Sequence, residues 1–204
     1  MEESHSITIR DARPDLEEGL QFAKFVNMAA HGFIPVFFGR DWEKIIAEAY
    51  IVPRTEYSSE NVIVAEREGV IVGMASGFTT EQRRDFSEEA LLTAAGSSRR
   101  RVKLMRFLFR PVMSIIYDTP DSDYYVLSLA VDKEARGLRI GSMLLDGMEE
   151  RGRRAGCTRL ALDVDARNAN GRAVYEHRGM KIERRFPKRI AIPYMTFYRM
   201  TKPL

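Results

Sequence analysis

The sequence reads as a mixed α/β sheet flanked by helices, with a helical insertion between the third and fourth strands. Three observations carry this reading. Short β-rich runs alternate with stretches of helical period in the order β-α-α-β-β-insertion-β-α-β-α-β-β. Tyr124 to Val131 is apolar on both faces, as a central strand is. Residues 79–120 separate two β-rich runs that a hairpin loop of about 2–5 residues would ordinarily join.

Each element has its own signal. Ser6 to Arg10 alternates polar and apolar residues, as a half-buried strand does. Asp11 and Pro14 open a helix through Leu16, Leu20, Ala23 and Phe25 to Met28, closed by His31-Gly32. Asp41 caps a second helix over Ile45, Ile46 and Ala49, stopped near Pro53. Asn61 to Glu66 and Val70 to Gly77 flank Arg67-Glu68-Gly69, a hairpin signal. After Tyr124 to Val131, a helix runs from Arg139 to Ala155 with Ile140, Met143, Leu144 and Met148 on one stripe, and Gly156 ends it. Arg159 to Val164 is a strand, Asn170 to His177 a short helix, Gly179 to Ile182 a strand, and Tyr194 to Met200 the closing strand. No repeat or low-complexity linker interrupts this order, so residues 1–204 form a single domain.

Composition narrows the functions available. The chain has 204 residues, 45% apolar and 30% charged, which suits a globular protein and excludes a disordered or collagen-like one. Its one cysteine, Cys157, cannot form an internal bridge and reads as a buried structural thiol. With only three scattered histidines no metal site is expected. No run spans a bilayer and Met1 to Asp11 lacks a signal peptide's apolar core, so a cytoplasmic protein without a membrane partner is expected. Residues 79–120 hold eight basic and five acidic residues, which accounts for the whole net charge of +3. The balanced remainder argues against a nucleic-acid partner.

The segment Leu129 to Ser142 carries the chemistry. A buried strand runs into a loop holding Arg136, Gly137, Leu138, Arg139 and Gly141, which then opens an amphipathic helix at Ser142. Unpaired amides and the helix dipole at such an N-terminus suit a pyrophosphate, and two arginines add fixed cations. Glycine lets the backbone approach a ligand closely. The same residues also fit an ordinary strand-to-helix turn with solvated arginines. Further on, Asn168, Gly171, Tyr175-Glu176 and Gly179-Met180 lie on a polar turn and short helix. Taken singly, Asn168 reads as a turn or cap residue and Tyr175 as a packing aromatic.

Together the two segments resemble the GNAT superfamily of acetyl-CoA-dependent N-acetyltransferases. Arg136-Gly137-Leu138-Arg139-Ile140-Gly141 is similar to its Arg-x-x-Gly-x-Gly/Ala loop, with Arg139 where the family most often has its middle glycine. Asn168 to Met180 resembles its Asn-x-x-Ala-x-x-x-Tyr-Glu-x-x-Gly-Phe signature, with Gly171 for Ala and Met180 for Phe. The resemblance covers roughly residues 124–182. It implies a mostly antiparallel sheet and acetyl-CoA, as co-substrate and without a metal, held between the strands 124–131 and 159–164. It also implies pantetheine bonds to the backbone of Leu129 and Val131, pyrophosphate on Arg136 to Ser142, a contribution from Asn168, and Tyr175 as general acid. A tyrosine with a pKa of about 10 is protonated at neutral pH and can donate to a leaving thiolate.

The expected reaction is direct attack of a primary amine, on a small molecule or a peptide, upon the thioester. The alternative is an inactive CoA-binding regulatory protein on the same fold. No carboxylate lies within 124–131. Asp123, Glu81 and Asp85 read as loop charges, so no base is assigned. His31 reads as a turn residue. In the insertion, Leu104, Phe107, Leu108, Val112 and Ile115 keep helical spacing, Pro111 is expected to kink or split the run, and basic residues crowd it. An extra helix pair with a solvated basic face, a homodimer contact, and a cover over the acceptor side with a preference for acidic acceptors are all open at this level.

Overall fold

The computed structural model describes residues 6–187 and 196–204. Seven strands form one sheet: β1 (Ile7–Asp11), β2 (Val62–Arg67), β3 (Val70–Thr79), β4 (Asp123–Val131), β5 (Arg159–Asp165), β6 (Lys181–Phe186) and β7 (Phe197–Pro203). Their spatial order is β1-β2-β3-β4-β5-β7-β6, which puts β4 at the centre as its two apolar faces require. Among the described residues only β4 and β5 pair in parallel, and the other five pairings are antiparallel. Among the described residues eight α-helices accompany the sheet: α1 (Leu16–Ala29), α2 (Ile34–Phe38), α3 (Trp42–Ile51), α4 (Thr80–Arg84), α5 (Glu88–Ala94), α6 (Arg99–Ile116), α7 (Ile140–Arg154) and α8 (Ala169–His177).

Local chemistry sets the boundaries. Asp11 belongs to β1, and the N-cap of α1 is Asp15, whose carboxylate accepts from the Glu18 amide at 2.8 Å. Asp41 stands at the N-cap of α3 but makes no side-chain cap bond. The short α2, unforeseen in the sequence, has Pro35 in its first turn, where a missing N–H costs nothing. Glu68 and Gly69 both have positive φ, 53° and 78°, as a two-residue type I′ hairpin demands. Gly179 lies in a left-handed turn rather than in a strand, so β6 begins at Lys181. The closing strand runs three residues past Met200, while Tyr194 and Met195 lie outside the described residues.

The two sheet faces have separate cores. Phe22, Val26, Phe38, Ile46 and Tyr50 from α1–α3 cover one face with Val64 and Met74. Ile140, Leu144, Leu145 and Met148 of α7 cover the other, each almost wholly buried and worth about 1.5–3 kcal/mol. Gly77 lets α7 lie this close, because a Cβ there would come within 3.1 Å of Met148 Sδ as well as 2.8 Å of the Tyr124 ring. Cys157 is buried beside this second core, and burial pushes its thiol pKa up, as a structural thiol's should be.

The insertion is three helices, not two. Thr79 ends β3 and caps α4 reciprocally with Gln82, at 3.0 and 2.8 Å. Thr80 donates to or accepts from Thr119 at 2.9 Å, clasping the two ends of the insertion together. Leu91, Leu92 and Ala95 of α5 and its following turn, with Val102 of α6, enter the core under α1–α3. α6 runs through Pro111 as one helix. The carbonyl that loses its donor there belongs to Phe107, an exposed residue, so water can satisfy it. Leu104, Phe107 and Leu108 face solvent, whereas the side chains of Val112 and Ile115 lie outside the described residues.

Candidate active site

The parallel ladder between β4 and β5 is short. It runs from Asp123 opposite Arg159 to Val126 opposite Leu162 and stops. On the other edge of β4, Ser128 pairs with Ser76 and Val126 with Gly77, so Leu127 is an extra residue, a β-bulge. A bulge bends the strand and increases its twist, and the two strands part where it sits. The Asp132 amide donates to the Val72 carbonyl at 2.9 Å. Antiparallel alternation then turns the backbone groups of Ser128 and Ala130 toward β3 and those of Leu129 and Val131 toward β5. Past the last rung, Leu129 and Val131 therefore present amides and carbonyls to an open wedge.

The loop after β4 ends at the start of α7. Gly137 has φ +85° and Arg139 φ +63°, two left-handed residues two apart. Arg139 is the N-cap of α7 and supplies no side-chain cap bond, so the first amides of the helix stay available to a ligand. A Cβ built on Gly141 would meet Leu129 Cδ2 at 3.8 Å and Val131 Cγ2 at 3.9 Å, ordinary contacts. Packing therefore does not require glycine at 141. Arg136, Gly137, Leu138 and Arg139 are all exposed. Arg139 and Ser142 line an open cleft of about 680 Å³ with His177, Arg178 and Lys202. Arg178 is held by Asp146 and by Glu149, and Lys202 by Glu149 at 2.8 Å. Arg139 has no ion-pair partner among the described residues and remains for an anion. Pyrophosphate chemistry fits this donor set.

The second motif is held by capping. Asp165, at the end of β5, accepts from the Arg167 amide at 2.8 Å and from its guanidinium at 2.6 Å, which lowers the Asp165 pKa. Asn168 caps α8, accepting from the Gly171 amide at 2.9 Å. Its side chain lies where a Cβ on residue 171 would stand, 2.6 Å from Nδ2, which explains glycine there. Tyr175 packs on the apolar cluster that contains Leu129 and Val131, and Met180 is buried in it. Burial pushes the Tyr175 pKa up, so its hydroxyl keeps its proton.

The three carboxylates weighed as bases are placed differently. Asp123 is buried at the paired end of β4 and takes both Arg159 bonds at 2.8 and 2.9 Å. Glu81 and Asp85 are exposed on α4 and just after it.

On the face away from α7, the fold assembles a cluster that sequence reasoning missed. Arg199, almost fully buried on β7, binds both oxygens of Asp163 at 2.7 and 2.8 Å. The Tyr125 hydroxyl donates to Asp163 at 3.1 Å, and the Arg199 guanidinium lies 5.2 Å from the Tyr125 ring centroid. Burial, then the Asp163 charge, raises the Tyr125 pKa well above its ordinary value. The available signal was a charge in the middle of each strand, Asp163 between Leu162 and Val164, Arg199 between Tyr198 and Met200. Such charges must find each other across a sheet. Phe78, Phe86, Tyr117, Tyr125 and Leu127 pack together beside this cluster, so the insertion touches the sheet at the bulge.

The comparisons with known proteins agree with this fold. The profile of the acetyltransferase (GNAT) family matches residues 33–180. An acetyltransferase crystal structure superposes over 96% of this chain and 98% of its own, with TM-score 0.68 and 24% identity. An N-acetyltransferase from Staphylococcus aureus Mu50 does so over 96% and 100%, with TM-score 0.67 and 18% identity. PaiA N-acetyltransferase from Thermoplasma acidophilum, solved in complex with coenzyme A, covers 98% and 99%, with TM-score 0.53 and 16% identity. At these identities the structural likenesses speak for the fold, and no curated protein sequence matches the chain. The family match over most of the chain, with the parted strands and the loop above them, places this protein in the GNAT family of acetyltransferases.

Proposed function

We propose that the protein transfers an acetyl group from acetyl-CoA to a primary amine by direct attack. The observation that carries the reading is the wedge between β4 and β5. It opens at the Leu127 bulge, is edged by the backbone of Leu129 and Val131, and has the uncapped start of α7 at its end.

Acetyl-CoA supplies an activated thioester when bound. Leu129 and Val131 would take the pantetheine arm as a strand takes a neighbour. The amides from Arg136 to Ser142, with the Arg136 and Arg139 guanidinium groups, would take the pyrophosphate. Asn168 already spends its side-chain oxygen on the Gly171 amide, so its Nδ2 is what it can offer a cofactor. Tyr175 would donate its proton to the departing thiolate. The attacking amine, with an intrinsic pKa of about 10.4, must lose a proton first. Asp123 is committed to Arg159, which favours proton loss to water.

The acceptor would approach on the face that carries Tyr125, Leu127 and Asp163, since α7 closes the other. The insertion borders this side through Tyr117 and Phe86, and it would leave the pyrophosphate loop alone. Its charge reaches this side at Arg83, whose guanidinium lies 5.3 Å from the Tyr117 ring centroid. Arg99 pairs with Glu89, Arg106 with Glu56 and Glu88, and Arg100, Lys103 and Arg110 are exposed.

The test is thiol release from acetyl-CoA across a panel of small amines and peptide N-termini, beside a thermal-shift measurement with CoA. Stabilisation by CoA with amine-dependent thiol release supports the reading. Stabilisation without release from any amine favours the inactive CoA-binding alternative. A chain that CoA does not stabilise has no cofactor site at the wedge.

A further inference from the structure

We propose that the outward face of α6 is a docking surface for an anionic phospholipid membrane. Residues 99–116 contain six basic residues and no acidic one. Leu104, Phe107 and Leu108 are 53%, 72% and 56% exposed. At 3.6 residues per turn they share an arc of about 100°. On the same geometry Arg100 falls within that arc, Lys103 and Arg110 lie along one flank, and Arg101 along the other. All four are exposed.

The opposite side of α6 holds the helix to the protein. Val102 is buried in the core under α1–α3, and the Phe109 ring meets Phe33 and Phe37 at 5.3 and 6.0 Å. Arg101 donates to the Val36 carbonyl of α2 at 2.7 Å. Through these contacts α2 adds its own exposed Phe33 and Val36 beside α6. The result is an apolar strip with bulky side chains, edged by cations, on a helix anchored from behind. That is the composition of a helix that lies in the plane of a bilayer interface.

Charge complementarity selects the occupant. The acidic neighbours Glu56, Glu88 and Glu89 are engaged by Arg99 and Arg106. No ion pair within the described residues involves Arg100, Lys103 or Arg110. A second copy docked two-fold on this face would set these cations against themselves. An anionic lipid surface meets both requirements at once: headgroups for the cations and acyl chains for Phe107 and the leucines. A surface-lying helix needs no spanning segment, so the lack, among the described residues, of a helix long and apolar enough to cross a membrane is no obstacle.

Vesicle flotation tests this without reference to acetyl transfer. The whole chain is mixed with vesicles of phosphatidylcholine alone or of phosphatidylcholine with phosphatidylglycerol. It should float with the mixed vesicles only, and less as salt rises. Phe107→Glu should abolish flotation. Arg100→Glu/Lys103→Glu/Arg110→Glu should weaken partitioning about a hundredfold or more. Val70→Glu, at an exposed apolar residue of the β2–β3 hairpin, should float as the parent does. All these sites are exposed, and an unchanged thermal melt confirms that each variant is folded. A parent chain that stays down with the mixed vesicles overturns the proposal. So do variants that float undiminished, or a parent dimer that Phe107→Glu converts to monomer without any lipid binding.

Discussion

Val126 of β4 and Leu162 of β5 are the last rung of the only parallel pairing among the described residues, and the Leu127 bulge begins one residue later. Everything assigned to the cofactor lies beyond that rung. Leu129 and Val131 border the gap, and Gly141 stands within ordinary contact distance of both. Substitutions at Gly141 therefore separate packing from ligand binding. Gly141→Ala should fold normally and keep a reduced thermal shift with CoA. Gly141→Glu should fold and lose the shift, since it adds bulk and negative charge at the phosphate site. A Glu variant still fully stabilised by CoA would place the pyrophosphate elsewhere.

The Tyr175 hydroxyl has no hydrogen-bond partner among the described residues, and burial raises its pKa. Tyr175→Phe should lower kcat roughly 10²-fold, the usual order for loss of a general acid, with little change in CoA affinity. The sign of the pH dependence follows from the raised value. The hydroxyl stays protonated through neutral pH and is lost only above its ordinary value of about 10, so it imposes no fall in kcat between about pH 7 and 9. Activity should instead rise over that range as the amine loses its proton. A pH–rate profile that declines there assigns the acid to another group.

Arg139 is an arginine in the left-handed region, φ +63° and ψ 12°, where a side chain costs about 1–2 kcal/mol. Arg139→Gly should relieve part of that strain and raise the melting temperature of the free protein by about 2–4 °C per kcal/mol recovered. The same change removes a cation from the cleft, so CoA should bind more weakly and the gap between free and CoA-bound melting temperatures should narrow. Calorimetry with and without CoA reads both effects. A lower melting temperature of the free variant would mean that the guanidinium has a structural partner.

Asp163 and Arg199 are a buried bidentate pair shared with Tyr125. Removing the carboxylate takes away the group that holds two of the guanidinium's bonds deep in the sheet, and breaking such a pair costs about 3–5 kcal/mol. Asp163→Ala should therefore show a large loss in urea unfolding, and Asp163→Ala/Arg199→Met should recover much of it. Equal stability of the two variants would show that the pair is not coupled.

Much of the fold and part of the site follow from local chemistry that the chain carries in its order. The helical period of α7, the hairpin at Glu68-Gly69 and the doubly apolar β4 need no tertiary information, because each is set by side-chain spacing and backbone preference. The loop proposed for the pyrophosphate belongs with them, since a glycine-bearing turn and the helix it opens are contiguous. Asn168 was legible as a cap and serves as one.

What tertiary structure decided is whatever depends on residues far apart meeting. The bulge at Leu127 is a mismatch of register between two strands, which no single strand can show. The Asp163–Arg199 pair joins strands 36 residues apart in sequence. The apolar residues of α6 carry one period but two fates. Val102 enters the core while Leu104, Phe107 and Leu108 face water, because α2 and α5 occupy only one side of the helix. Periodicity reports that a helix has an apolar face; only packing determines which part of that face the protein itself covers.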